Sequence, residues 1–283
     1  MSVKELRINK MRFAKEENYG DYQIFSIGSE TCIIKFFKLV ENQKLQEFLK
    51  NRKEEGKQIK IITPFVPERH LEKMKKTLKG MLESDLYRDS VIVVNDLGMM
   101  RYIHSISQDT KISIGRIMLY SMDTVPWGEL LFESESEDVK KVVHQISFYD
   151  DIKMDFYRKF HVTEIEVSLT KGCVDSLKAI QEQGFKVNVH TRDVLYGTQR
   201  SCYIRRNGDF NCEGSECEQL EELKLSKLWS AAGPFSPEKE IPFPDAIYLA
   251  GNKIVGTLEE LDSSWSDAVI YDLAREDFFK EMK

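Results

Sequence analysis

Short runs rich in β-branched residues alternate with longer amphipathic stretches along most of the chain, and that alternation leaves few folds open. Strands followed by crossover helices, packed outside a parallel sheet, bury both patterns at once. Gln23 to Ile27, Ile59 to Thr63, Val91 to Val94, Ile112 to Gly115, Ile165 to Ser168 and Lys186 to Val189 are the predicted strands. Between them, Glu68 to Glu83 carries apolar residues at Leu71, Met74, Leu78 and Leu82, and Val174 to Gln183 stops at Gly184, as helices often do. At least five βα units are expected. No glycine-rich dinucleotide fingerprint follows the first predicted strand, so an α/β fold of the (β/α) TIM-like barrel type is preferred to an open Rossmann-like sheet. The 283 residues suit one such barrel, and a single domain spanning 1–283 is expected.

Forty-one basic residues against 47 acidic ones are spread along the chain with no basic block that would gather phosphates, which argues against a nucleic-acid partner. The opening stretch, MSVKELRINKMRFAKEEN, is charged throughout, unlike the apolar core of a secretory signal or the acid-poor composition of a transit peptide. No apolar run approaches the roughly 20 residues of a membrane span. A cytoplasmic chain without a membrane span is expected.

In a reducing compartment the five cysteines read as ligands or small buried side chains before disulfide partners. Three of them fall where the βα pattern breaks. From Thr198 to Pro244 the chain becomes loop-rich, GTQRSCYIRRNGDFNCEGSECEQ and then WSAAGPFSPEKEIPFP, before a terminal strand and helix are expected to resume at Ala246. So long an excursion is usually functional or disordered, and its cysteines argue for order imposed by a ligand. Nine residues separate Cys202 from Cys212 and four separate Cys212 from Cys217, while Cys32 follows the first predicted strand in IFSIGSETC. Segments after the strands of a parallel barrel open on one face, which would bring Cys32 toward this loop. One remote thiol and an irregular spacing suit a 4Fe-4S cluster better than a zinc finger. On spacing alone, structural zinc with a fourth partner and an unliganded loop stay open. Arg200, Arg205 and Arg206, beside the loop cysteines, would offset the negative charge of a thiolate-bound cluster. Cys173, in TKGCVD at a helix start, reads as an ordinary small residue.

Asn95 and Asp96 directly follow one predicted strand, Arg116 another, and His190 with Arg192 a third, so all are expected at the barrel mouth. With Glu30 they would bind an anionic or polar substrate. Structural roles stand beside that reading: a turn and cap for Asn95 and Asp96, an ion pair for Arg116, a satisfied buried ring for His190. No Gly-x-Ser-x-Gly elbow, His-Glu-x-x-His helix or phosphate-binding loop occurs. Tyr196 and Tyr203, flanking the cysteine loop, read as packing.

Four stretches carry a resemblance. IFSIGSETC, VIVVNDLGMM, SIGRIM and VNVHTRDVLYGTQRSCYIRR resemble, in order, the Gly-Glu-x-x-Cys strand end, the Val-x-Asn-Asp-Leu-Gly segment, the Gly-Arg-hydrophobic segment and the Arg-Cys loop of the collagenase-like peptidase family U-thirty-two, in its short UbiV-like branch. The resemblance implies a barrel, places Cys32, Cys202, Cys212 and Cys217 on the four cluster-ligand positions, and implies oxygen-independent hydroxylation or a related redox modification of a small organic substrate, with a second barrel protein of the family as partner. Whether the chain is itself the hydroxylase or a subunit of one is left open by it. Three departures stand out: Ser201 separates Arg200 from Cys202, the spacing between the first two loop cysteines is shorter than in that branch, and NKIVGTLEELDSSWSDAVIYDL replaces the Lys-Ile-Glu-Gly-Arg-like segment of the peptidase members. A peptidase and a non-catalytic cluster-carrying subunit are the alternative functions.

Overall fold

A computed structural model describes residues 2–9, 19–126, 128, 132, 134–199, 202, 221–222 and 247–273. Seven parallel strands come first: β1 Val3–Ile8, β2 Ile24–Gly28, β3 Gln58–Ile62, β4 Val91–Val94, β5 Ile112–Ile114, β6 Val162–Ser168 and β7 Lys186–His190. A small antiparallel sheet follows, in the order β8 (Asp193–Thr198), β11 (Lys253–Thr257), β10 (Ile247–Ala250), β9 (Glu221–Glu222). The last strand, β12 Ala268–Asp272, inserts between β7 and β1 and closes a barrel of eight parallel strands.

Helices α1 Ile33–Val40, α2 Gln43–Glu54, α3 Leu71–Glu83, α4 Leu97–Ile106, α5 Glu137–His144, α6 Asp151–Arg158 and α7 Val174–Glu182 fill the connections. Side chains on one face of each strand, Leu6, Ile8, Phe25, Ile27, Ile61, Ile92 and Ile165 among them, share one apolar core with Phe36, Leu49, Met74, Leu78, Ile103 and Leu177 of the helices. That layer is the conventional hydrophobic drive of the fold.

The opposite face of the strands is a different matter. Neighbouring strands register Arg7 with Ser26, Ser26 with Lys60, Ser113 with Glu164, Glu166 with Asn188, and Ser168 with His190. All of these residues are buried, so the barrel is filled largely by charged and small polar side chains. Barrels of this kind more often fill their interior with branched apolar residues.

The six predicted strands are β2 to β7, each within a few residues of its expected bounds, and the barrel is the expected one. Two expectations are corrected. Gln23 to Ile27 belongs to the second strand, because β1 precedes it in the stretch read only as charged. The strand expected at Ala246 is β10, which pairs antiparallel in the small sheet, while the barrel resumes at Ala268. Among the described residues no helix is long and apolar enough to cross a membrane.

Candidate functional site at the barrel mouth

The segments that follow the strands open at one end of the barrel. β2 finishes at Gly28 with φ +130, where any side chain would run into the Ile62 carbonyl of β3, so glycine is required for the chain to leave the sheet here. Ser29 to Cys32 then turn into α1. Cys32 is the N-cap: Ser29 Oγ accepts from its N–H at 3.1 Å, and its Sγ accepts from Lys35 N at 3.5 Å. The positive end of the helix dipole therefore faces the sulfur.

Glu30, buried two residues before Cys32, is the hub of the mouth. Arg116 grips it with two parallel bonds, Nε to Oε2 at 2.9 Å and Nη2 to Oε1 at 2.8 Å. Lys253 Nζ reaches Oε1 at 2.6 Å, and Arg7 Nη1 lies 3.8 Å from Oε2. Arg116 Nη1 continues to Asp193 Oδ1 at 2.7 Å and Ser168 Oγ at 3.3 Å. Burial would push the Glu30 carboxyl up, but Arg116, then Lys253 and Arg7, outweigh it and hold the group well below the usual carboxylate range. Burial opposes the Arg116 charge in turn, and Asp193 and Glu30 overcome that and raise it.

Deeper in the barrel, Arg7 Nη2 donates to Glu166 Oε2 at 2.6 Å and Nη1 to His190 Nε2 at 3.4 Å. A guanidinium can only donate, so the contact with Arg7 is a hydrogen bond when Nε2 accepts, whereas the Glu166 carboxylate 3.9 Å from the same nitrogen favours a proton there. Burial, reinforced by Arg116, lowers His190 and favours the neutral ring. Glu166 would be raised by burial but is brought down to about 2, chiefly by Arg7. Lys60 closes the lower layer, with Nζ 2.8 Å from Glu164 Oε2 and 3.1 Å from Glu5 Oε2.

Glu30, Arg116 and His190 thus join one network. Asn95 does not: its Nδ2 donates to Thr63 O at 2.9 Å and its amide fills the space a side chain at residue 115 would need, which is why glycine precedes Arg116. Asp96 caps α4, accepting from Gly98 N at 2.7 Å and Met99 N at 3.2 Å. Arg192 is exposed on the rim. Cys173 is buried beneath Thr170, whose hydroxyl is 3.1 Å from its sulfur, and burial pushes its thiol up to about 11.

Cys202 is half-buried beyond the end of β8. Its segment is tied to that of Cys32 by Asn252, in the turn between β10 and β11, whose Nδ2 donates to Thr31 O at 2.8 Å and to Gln199 O at 3.0 Å. Cys212, Cys217, Arg200 and Arg205 lie outside the described residues, as do Arg206 and Tyr203. Among the described residues no three His, Cys, Asp or Glu side chains are grouped to hold a metal ion.

Arg7, Glu166, Asp193, Asn252 and Lys253 were not anticipated. Arg7 and Glu5 had a readable signal, the period-two alternation of charge and apolar residue in KELRI, and Asp193 sits inside the quoted VNVHTRDVLYGTQRSC stretch. Asn252 and Lys253 had none, since their partners lie more than 50 residues away.

Comparisons of the chain with protein-family models, with curated proteins and with solved structures gave no match.

The buried ionic network makes stability acid-sensitive in a defined direction. Glu30 and Glu166 titrate lower in the folded chain than in the unfolded one, so the stability they contribute is present above their ordinary pKa of 4.5 and is lost as pH falls through the folded values, about 2 for Glu166. His190, lowered from 6.5, acts with the same sign, because the unfolded chain binds its proton first. The melting temperature is expected to hold down to about pH 6.5, sag below it and fall steeply below about pH 4.5. Calorimetry across that range checks this, and a profile flat to pH 3 would contradict it.

Proposed function

We propose that the chain carries a 4Fe-4S cluster on the thiolates of Cys32, Cys202, Cys212 and Cys217 at the barrel mouth, and that it takes part in oxygen-independent hydroxylation, or a related redox modification, of a small organic substrate together with a second barrel protein of the same family. The observation that supports the cluster is the single Asn252 amide bonded to both cysteine-bearing segments, Thr31 next to Cys32 and Gln199 three residues before Cys202, while the hydroxylation and the partner rest on the family resemblance of IFSIGSETC, VIVVNDLGMM, SIGRIM and VNVHTRDVLYGTQRSCYIRR. Two segments that carry soft donors remote in sequence are thereby tied to one side chain, and Cys212 and Cys217 follow Cys202 in the sequence. Thiolates in that number and irregular spacing fit an iron-sulfur cluster.

A bound cluster supplies one-electron transfer. The chain's own residues supply the setting. Cys32 presents its sulfur at a helix N-terminus, and Glu30 fixes the loop before it through three cations. Arg116, Asp193 and Ser168 join that loop to the strand ends of the barrel, so the position of Cys32 is set by buried ion pairs and not by a mobile connection.

Protein purified without oxygen and reduced with dithionite is expected to give a fast-relaxing electron paramagnetic resonance signal near g = 2 that vanishes on reoxidation. The same preparation should retain a second barrel protein when purified from its native cells. A silent spectrum together with peptide cleavage by iron-free protein would replace this reading with the peptidase one.

A further inference from the structure

Asn252 sits in a two-residue turn, with Ala250 paired to Lys253 across the hairpin and Gly251 at φ +67 supplying the left-handed residue. The conformation of the turn thus falls to Gly251, and the identity of residue 252 is free to serve another purpose. The residue is 8% exposed, and its side-chain amide nitrogen donates one bond to Thr31 O and one to Gln199 O. An Asn amide carries two N–H donors, so the group is fully used, one donor for each cysteine segment. The reverse orientation would aim an oxygen at two carbonyls, which fixes the assignment. Its own carbonyl accepts from Gln199 N at 3.1 Å, and the next residue, Lys253, reaches Glu30 at 2.6 Å.

Two bonds from one turn therefore hold Glu30 and Thr31, the two residues before Cys32, and two more join the turn to Gln199 on the other side. We propose that the β10–β11 turn is a positioning clamp for the cluster: Asn252 fixes the separation of the Cys32 and Cys202 segments, and Lys253 fixes the Glu30 loop against the barrel. This rests on the cluster reading above and adds to it a pair of residues that ligate nothing. The clamp acts on how firmly iron is held, because a ligand pair free to separate opens the cluster to chelators and oxygen.

Asn252→Asp tests it with almost no change of volume. A carboxylate offers only acceptors to two carbonyls, so both tethers become repulsive. Iron release to a chelator under anaerobic conditions is expected to quicken at least about ten-fold, with a changed electron paramagnetic resonance line shape, as supporting residues around metal sites do when altered. Asn252→Ala removes the tethers without stranding a charge and should quicken release by a smaller factor; it decides the matter where the Asp variant does not fold. Asn252→Gln, which keeps both donors on a longer stem, should restore part of the loss. Melting of the iron-free proteins reports whether the turn is merely structural: the clamp predicts that Asn252→Ala leaves the apo melting temperature within a few degrees of the parent while iron release still changes. If the parent protein binds no iron, the cluster reading fails. If the parent is loaded and Asn252→Ala matches it in release rate and line shape, the clamp alone fails.

Discussion

Lys60→Met is expected to cost about 3–5 kcal/mol of folding stability, the usual consequence of removing one member of a buried ionic cluster. Lys60 is buried completely, and its ammonium is shared by Glu5 and Glu164, both also buried. Burial works against the ammonium, yet Glu5, Glu164 and Glu166 raise it above its ordinary value, so it stays charged at neutral pH. Methionine fills a similar volume and leaves two carboxylates without that cation. At roughly 2 °C per kcal/mol for a chain of this length, the melting temperature should drop by about 6–10 °C. The companion variant Glu5→Gln/Lys60→Met/Glu164→Gln neutralises the stranded acids and should regain more than half of the loss. A Lys60→Met protein as stable as the parent would mean that the polar filling of the barrel is not held by these pairs.

Cys32→Ala and Cys202→Ala are expected to have the largest functional effect, lowering bound iron several-fold after anaerobic reconstitution, since each removes a proposed ligand. Neither thiol is packed into the apolar core, so the apo proteins should melt within a few degrees of the parent, Cys32→Ala losing only the long Sγ cap on Lys35 N. Cys173→Ala is the internal control. That thiol lies under Thr170 in the core, is pushed up to about 11 by burial and so stays protonated, and its loss should leave iron content unchanged while costing some stability. Equal iron in Cys32→Ala and parent would remove that cysteine from the ligand set.

The parts of the fold that were legible are those whose cause is local. β-branched runs such as VIVV and the i, i+3, i+7 spacing of Leu71, Met74 and Leu78 declare a strand and a helix because both faces of the strand are buried and one face of the helix is. β1 escaped because its inward face is Glu5 and Arg7, charges that look solvent-exposed in a sequence and are instead neutralised across the barrel by Lys60 and Glu166. Sequence shows the charge but not its partner. The mouth was partly legible for a related reason: residues directly after strands share one face, so Glu30, Arg116 and His190 could be named together, whereas Asp96 spends its carboxylate on the first turn of α4. Asn252 and Lys253 belong to a hairpin whose pairing with β8 is fixed only by the tertiary fold, and nothing in GNK marks it as the strap between two cysteine segments.

The most direct test of the cluster reading is chemical: iron and acid-labile sulfide per chain in protein purified and reconstituted without oxygen. Close to four of each are expected. Zinc in their place, or neither iron nor sulfide after reconstitution, would contradict it and leave a polar-cored barrel whose cysteines serve another purpose.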